Sequence, residues 1–236
     1  MTERSRASVE RSASDFRLGP SALRWTGDRL LIDIDEVGAP LPRAVRGRIA
    51  VYPSALNNFV AALDDGGRHR WGPIAACARV EVELEQPAAR WSGHAYFDSN
   101  EGDEPIDRPF VEWDWSRAML RSGHTAVIYD VQQKLGADRL LALKFSPSGA
   151  VEPFEAPPRQ PLPRTLWRLQ RRMRSEPGVV PTVTQRLEDG PFYSRSVLRS
   201  GLLGETVTSM HETLNVPRLV SPAVQAMLPW RMPRAR

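Results

Sequence analysis

The chain has 236 residues, 41% of them hydrophobic, which suits one large domain or two small ones around a real core. Net charge is +4 from 32 basic and 28 acidic residues, and since only Lys134 and Lys144 are lysines the excess is arginine. A single cysteine, Cys77, excludes an internal disulfide and a cysteine-based metal site, and no segment reaches the ~18–20 apolar residues that span a bilayer.

The opening MTERSRASVERSASDF has no apolar signal-peptide core. The expectation is a cytoplasmic protein, peripheral to a membrane. Twenty-one prolines and sixteen glycines punctuate short runs of period two, which predicts an all-β fold. The first clear strands are Leu30 to Val37, where Ile32 and Ile34 alternate with Asp33 and Asp35, and Val45 to Tyr52.

His69 and Trp71 follow the turn-forming Asp64, Asp65, Gly66 and Gly67, and in an extended strand they face the same way. Cys77 reads as a small core residue, and Val80 to Leu84 as a strand with Glu81 and Glu83 outward. Trp91 to Ala118 then packs aromatics and carboxylates together at a density found nowhere else in the chain. Its Tyr96-Phe97-Asp98 sets an acid among aromatics, and such desolvation favours the protonated carboxyl, so Asp98 is a candidate general acid. The run Asp98 to Asp107 invites a calcium reading but fails the EF-hand spacing, with glycine fifth where the loop needs it sixth and no Glu at position twelve. It reads as a polar turn.

Further strands are expected at Phe110 to Trp115, His124 to Asp130, Leu140 to Phe145 and Thr206 to Thr213. The Pro-rich passage Glu155 to Pro163 reads as a connector, placing a unit boundary near residue 155: a unit 1–155 with the candidate site and a unit 156–236. In Arg164 to Arg174, Trp167, Leu169 and Met173 fit period two, with Arg171 the exception, so a strand with arginines outward is preferred to a basic helix.

The four histidines, His69, His94, His124 and His211, show no metal-ligand spacing. There is no G-x-S-x-G, P-loop or G-x-G-x-x-G arrangement, which argues against serine hydrolase, phosphate and dinucleotide chemistry. If the strands bearing His69 and Trp71 and bearing His94, Tyr96 and Asp98 line one cavity, the set has a chemical sense. A carboxylic acid can protonate an alkene, aromatic faces can stabilise the carbocation, and a base can activate water, with no cofactor required. The plainer alternative makes Trp71 and Tyr96 core aromatics and His69 a loop residue.

Five blocks in order, RLGPSALRWTGDRLLIDIDEV, APLPRAVRGRI, WSGHAYFDSNEGDEPIDRPFVEWDWSRA, PFYSRSVLR and HETLNVPRLVSPAVQAMLPWRMP, together resemble the carotenoid 1,2-hydratases, also called hydroxyneurosporene synthases. The resemblance spans nearly the whole chain. It implies tandem lipocalin-like β-barrels, and because family members begin with a further segment the first barrel is expected to be incomplete at its N-terminus. It also implies a cofactor-independent lyase that adds water across the terminal 1,2 double bond of neurosporene or lycopene to give a 1-hydroxy carotenoid. By the same resemblance Asp98 is the proton donor, Tyr96 and Trp71 are the cation-stabilising aromatics, and His69 orients the acid or deprotonates water. A C40 polyene is a membrane solute, so arginines with exposed Trp230 and Met232 are expected to make a peripheral membrane contact. The competing classes are a non-catalytic carrier of an apolar ligand and an isomerase or cyclase on the same fold. Nucleic acid is not an expected partner, since no recognisable binding motif accompanies the arginines.

Overall fold

The computed structural model describes residues 4–39 and 41–231. Alternating apolar and polar side chains broken by Gly and Pro turns produce strands almost throughout. After a short 3-10 turn, Arg6–Ser8, come β1 (Val9–Arg11), β2 (Asp15–Leu18), β3 (Ser21–Trp25), β4 (Leu30–Val37), β5 (Ala44–Pro53), β6 (Ala61–Ala62), β7 (His69–Gln86) and β8 (Ala88–Gly102). These make one antiparallel sheet ordered β1-β2-β3-β4-β5-β7-β6, with β8 also paired to β7. Then follow β9 (Phe110–Met119), β10 (Thr125–Gln133), β11 (Arg139–Phe145), β12 (Val151–Pro153), the hairpin β13 (Arg159–Leu162) and β14 (Arg171–Arg174), and β15 (Thr182–Asp189), β16 (Tyr193–Leu202) and β17 (Glu205–Asn215). The second sheet runs β12-β11-β10-β9-β17-β16-β15. Two helices close the described chain, α1 (Val216–Leu219), whose first turn is capped by the Asn215 side chain accepting from the Arg218 N–H, and α2 (Pro222–Arg231).

The hairpin of β7 and β8, 18 and 15 residues long, positions the site. The C-terminal half of β7 packs Val80 and Val82 with Val51, Ile32 and Ile49 in the core of the first sheet. Its N-terminal half instead gives Trp71 and Ala76 to a core shared with the second sheet, beside Phe110, Trp115, Tyr129 and Phe145. Gly72 permits this crossing, because a Cβ there would come within 2.5 Å of the Phe59 carbonyl oxygen. The buried aromatics weld the layers edge to face, a geometry that adds to the ~25 cal/mol per Å² of apolar burial. Trp71 meets Tyr129 at 5.6 Å and Phe145 at 6.4 Å between ring centroids.

The all-β expectation is met. Among the described residues neither sheet closes on itself, so the implied tandem barrels are not found as closed barrels; two open sheets share the aromatic core instead. Nor does the expected boundary near residue 155 divide the sheets, since β17 pairs with β9 from Ser209 opposite Ala118 to Asn215 opposite Glu112. The Pro-rich passage, poor in backbone donors, takes the chain out of the sheet into the β13–β14 hairpin and lets it return beside β9. In β14 Arg172 is exposed, as expected, and Arg171, the exception to the period-two pattern, does occupy the inward face. Arg171 is buried, its guanidinium donating to the Pro163 carbonyl and the Ser194 and Ser196 hydroxyls, whereas Trp167 is about half exposed. Serine hydroxyls beneath the hairpin solvate the cation in place of water.

Candidate active site

Asp98 sits within β8 rather than at its end. Its Oδ2 accepts two hydrogen bonds, from Trp71 Nε1 at 2.8 Å and from the Tyr96 hydroxyl at 3.0 Å. Asn100 lies opposite Trp71 and Asp98 opposite Pro73, so alternation puts Tyr96 and Asp98 on the same side of the hairpin as Trp71, while Phe97 joins the core of the first sheet. Burial, and then the Asp98 carboxylate beside it, push the Tyr96 phenol well above the ordinary tyrosine range, so it remains a donor. An indole N–H is a donor at every pH. With both donors on Oδ2, a proton carried by Asp98 belongs on Oδ1, which receives no hydrogen bond from the described residues.

These side chains line a cavity of about 640 Å³ between the two sheets, within the size range of small-molecule sites. Its opposite wall is built by register. Tyr129 of β10 lies opposite Trp115 of β9, Trp115 opposite Glu212 of β17, and Glu212 opposite Arg195 of β16, so four strands present one row to the cavity. The Trp115 ring approaches Tyr96 to 5.4 Å, closing the aromatic wall over Asp98. Arg117, two residues along β9, lies over the Tyr96 ring at 5.5 Å. Burial pushes its guanidinium down, opposed by the nearby Tyr96, Asp98 and Glu212.

His69 also lines the cavity, but its ring does not bond Asp98, Trp71 or Tyr96. Its Nε2 is 2.9 Å from the Glu104 carbonyl, its Nδ1 is 3.5 Å from Asp64 Oδ1, and its ring packs on Phe110 at 4.9 Å. Asp64 also accepts the His69 backbone N–H, so the histidine ties the start of β7 to the turn after β8. His94 is not in the wall; it pairs with Arg79 beyond the register shifts and is exposed.

Sequence reasoning brought together Trp71, Tyr96 and Asp98 and missed Arg117, Tyr129, Arg195 and Glu212. Period two marks Trp113, Trp115 and Arg117 as one face of β9, and Met210 and Glu212 as one face of β17, but nothing local says that these faces meet Asp98. The acidic run after Asp98 is engaged with arginines, Asp103 with Arg70 and Glu104 with Arg68. Among the described residues no cluster of three or more His, Cys, Asp or Glu side chains could hold a metal ion, and no helix is long and apolar enough to cross a membrane.

Residues 1–236 match the family model described as "Carotenoid hydratase CrtC". The chain is 63% identical over 234 residues to the acyclic carotenoid 1,2-hydratase of Rubrivivax gelatinosus and 50% identical over 235 residues to that of Thiocapsa roseopersicina. Each alignment covers 99% of this chain but only 58% of the relative. The protein of the same name from Cereibacter sphaeroides is 34% identical over 235 residues, covering 84% of that relative.

Proposed function

The chain belongs to the carotenoid hydratase family, and on that premise we propose that it hydrates the terminal 1,2 double bond of acyclic carotenes such as neurosporene or lycopene, as a hydro-lyase without a cofactor. The observation that carries this reading is the pair of donors, Trp71 and Tyr96, converging on one oxygen of Asp98 inside an aromatic cavity.

Asp98 gives its Oδ1 proton to C2 of the polyene end. The C–H bond forms with the electrons of the double bond, and a tertiary cation is left at C1. Markovnikov protonation is favoured because the alternative cation is secondary. The two donors already on Oδ2, with Arg117 nearby, stabilise the carboxylate as it forms. The cation gains from the faces of Trp71, Tyr96, Trp115 and Tyr129, an attraction strengthened where water is excluded. Water then adds to C1 and loses a proton, giving the tertiary alcohol.

His69 serves as a positioning residue, since its ring nitrogens are turned to the Asp64–Glu104 turn. Holding that turn keeps the β7–β8 hairpin in register. A passive carrier would gain nothing from two donors aimed at one carboxyl, which favours the catalytic reading over that alternative.

Access to a C40 polyene requires a lipid surface. Leu166 and Trp167, 78% and 49% exposed between Arg164 and Arg168, support a peripheral contact with anionic membrane. Met232 and the side chain of Trp230, expected in that role, lie outside the described residues. Flotation with anionic liposomes at low salt should retain the protein and release it at high salt.

The functional test is expression in lycopene-producing cells grown in oxygen-18 water. The expected result is a more polar 1-hydroxy carotenoid carrying the label. Unchanged pigment, or an isomerised or cyclised product without oxygen, would reject hydration.

A further inference from the structure

Outside the donor set on Asp98, the cavity holds two more carboxylates whose chemistry the mechanism has not used, Glu212 and the exposed Glu101, which lies 3.6 Å from Arg70. Glu212 projects from β17 into the cavity next to Trp115. Its Oε1 accepts from Arg195 Nε at 2.8 Å, and Oε2 receives no hydrogen bond from the described residues. Trp115 is 8% exposed, and its Nε1 has no partner among the described residues. That indole N–H is closed to a water-sized probe, whereas the open carboxylate oxygen of Glu212 on the cavity wall can accept an O–H from a water molecule.

We propose that Glu212 is the general base of the hydration, holding the attacking water and taking its proton as the oxygen bonds to C1. This rests on the hydration reading above. As the water O–C1 bond forms, one water O–H bond breaks and its proton goes to Glu212. Asp98 has become a carboxylate and Glu212 a carboxylic acid, and a net proton transfer through solvent restores both. Acid and base stand on different sheets, so proton delivery and water addition come from opposing walls. The ion pair with Arg195 is itself held in place: burial opposes charge on Arg195, but Glu212 and Tyr193 outweigh it and raise its pKa. The His69 ring is turned to the Asp64–Glu104 turn, Arg117 has no basic atom in its charged form, and Glu101 is exposed, which leaves Glu212 as the shielded carboxylate facing Asp98 from the second sheet.

The test follows two labels with the full chain and an acyclic carotene in detergent. In D2O, reversible protonation by Asp98 places deuterium in recovered carotene; in oxygen-18 water, hydration places oxygen in product. Glu212→Gln should lower hydration about 100-fold or more while recovered carotene still gains deuterium, because the cation forms and returns its proton to Asp98. Asp98→Asn should stop both. Glu212→Asp, which keeps the charge but retreats by one methylene, should fall between wild type and Glu212→Gln. Hydration by Glu212→Gln within threefold of wild type would overturn the proposal, as would loss of deuterium exchange together with hydration in a variant that melts like wild type. If Glu212→Gln fails to fold, wild-type hydration by Glu212→Asp overturns it. If neither folds, Glu212 is structural and the proposal fails. A wild-type chain that takes up neither label refutes the hydration reading itself, a result distinct from all of these.

Discussion

Two rows of residues cross the same four strands one position apart and do opposite things. The row Tyr129, Trp115, Glu212 and Arg195 faces the cavity, and the row Asp130, Asp114, Thr213 and Ser194 faces the β13–β14 hairpin. Both hold acids and polar hydrogens. On the back, Asp130 is saturated: it is 6% exposed and takes guanidinium donors from Arg159 and Arg174. Asp114 accepts the Thr213 hydroxyl, with His211 Nε2 3.6 Å away and itself 2.8 Å from the Arg172 carbonyl. Burial pushes His211 down to about 4, so it is neutral at pH 7 and its approach to Asp114 is not an ion pair. On the cavity side, by contrast, Asp98 and Glu212 each keep one oxygen that no described residue engages. Saturation makes a carboxylate structural, and a free oxygen toward a cavity makes it available for chemistry.

The comparison breaks most sharply at Asp130. Replacing it with alanine strands two arginines beneath the hairpin and should destabilise the fold by about 3 kcal/mol, seen as a lower urea midpoint, with hydration per folded molecule unchanged. A loss of turnover in the folded fraction would show that the back row is not merely structural. Tyr96→Phe asks the converse question. It keeps the ring under Arg117 but removes one donor from Asp98, and hydration should fall by about tenfold, near the ~1.5 kcal/mol of a hydrogen bond to a charged group, with little change in melting. An unchanged rate would mean that the donors on Oδ2 do not assist the acid.

A third test is a pH dependence. Burial, then the charges of Glu112 and Asp130 against the Thr213 hydrogen bond, push Asp114 from its ordinary 3.8 up to about 7. Between those values the folded state keeps a proton that the unfolded chain releases, so this group lowers stability as pH rises through the window. His211 has the opposite sign: its folded value of about 4 lies below the ordinary 6.5, so it adds stability as pH rises from 4 to 6.5. The two offset one another in wild type. In Asp114→Asn only the histidine contribution remains, and denaturant melts should show stability rising from pH 4 to 6.5 relative to wild type. A parallel pH profile in the two proteins would contradict the assignment.

Much of the fold was legible in local pattern. The alternation in Leu30 to Val37 gives β4 with both ends as read, and the runs at Phe110, His124, Leu140 and Thr206 lie in β9, β10, β11 and β17. The trio Trp71, Tyr96 and Asp98 was legible because β7 and β8 are a hairpin and period two fixes their shared face. The second wall was not, since Glu212 meets Trp115 through a pairing between chain segments about a hundred residues apart. His94 was misplaced because period two assumes an unbroken ladder, and register shifts intervene between it and Tyr96. Arg171 stood out as the exception on the apolar face of its stretch, and its serine and carbonyl partners were not legible because they come from β16 and the loop before β14.

The central claim is that Asp98 delivers the proton, and the most direct measurement is hydration by purified Asp98→Asn against wild type at matched folded concentration. The amide keeps the size of the side chain and an oxygen for the Trp71 and Tyr96 donors but has no acidic proton. The account predicts an unchanged thermal midpoint and loss of 1-hydroxy carotenoid by about a thousandfold or more, within the ~10²–10⁴ range for a general acid. Product formation by the folded variant at a rate near wild type would contradict it.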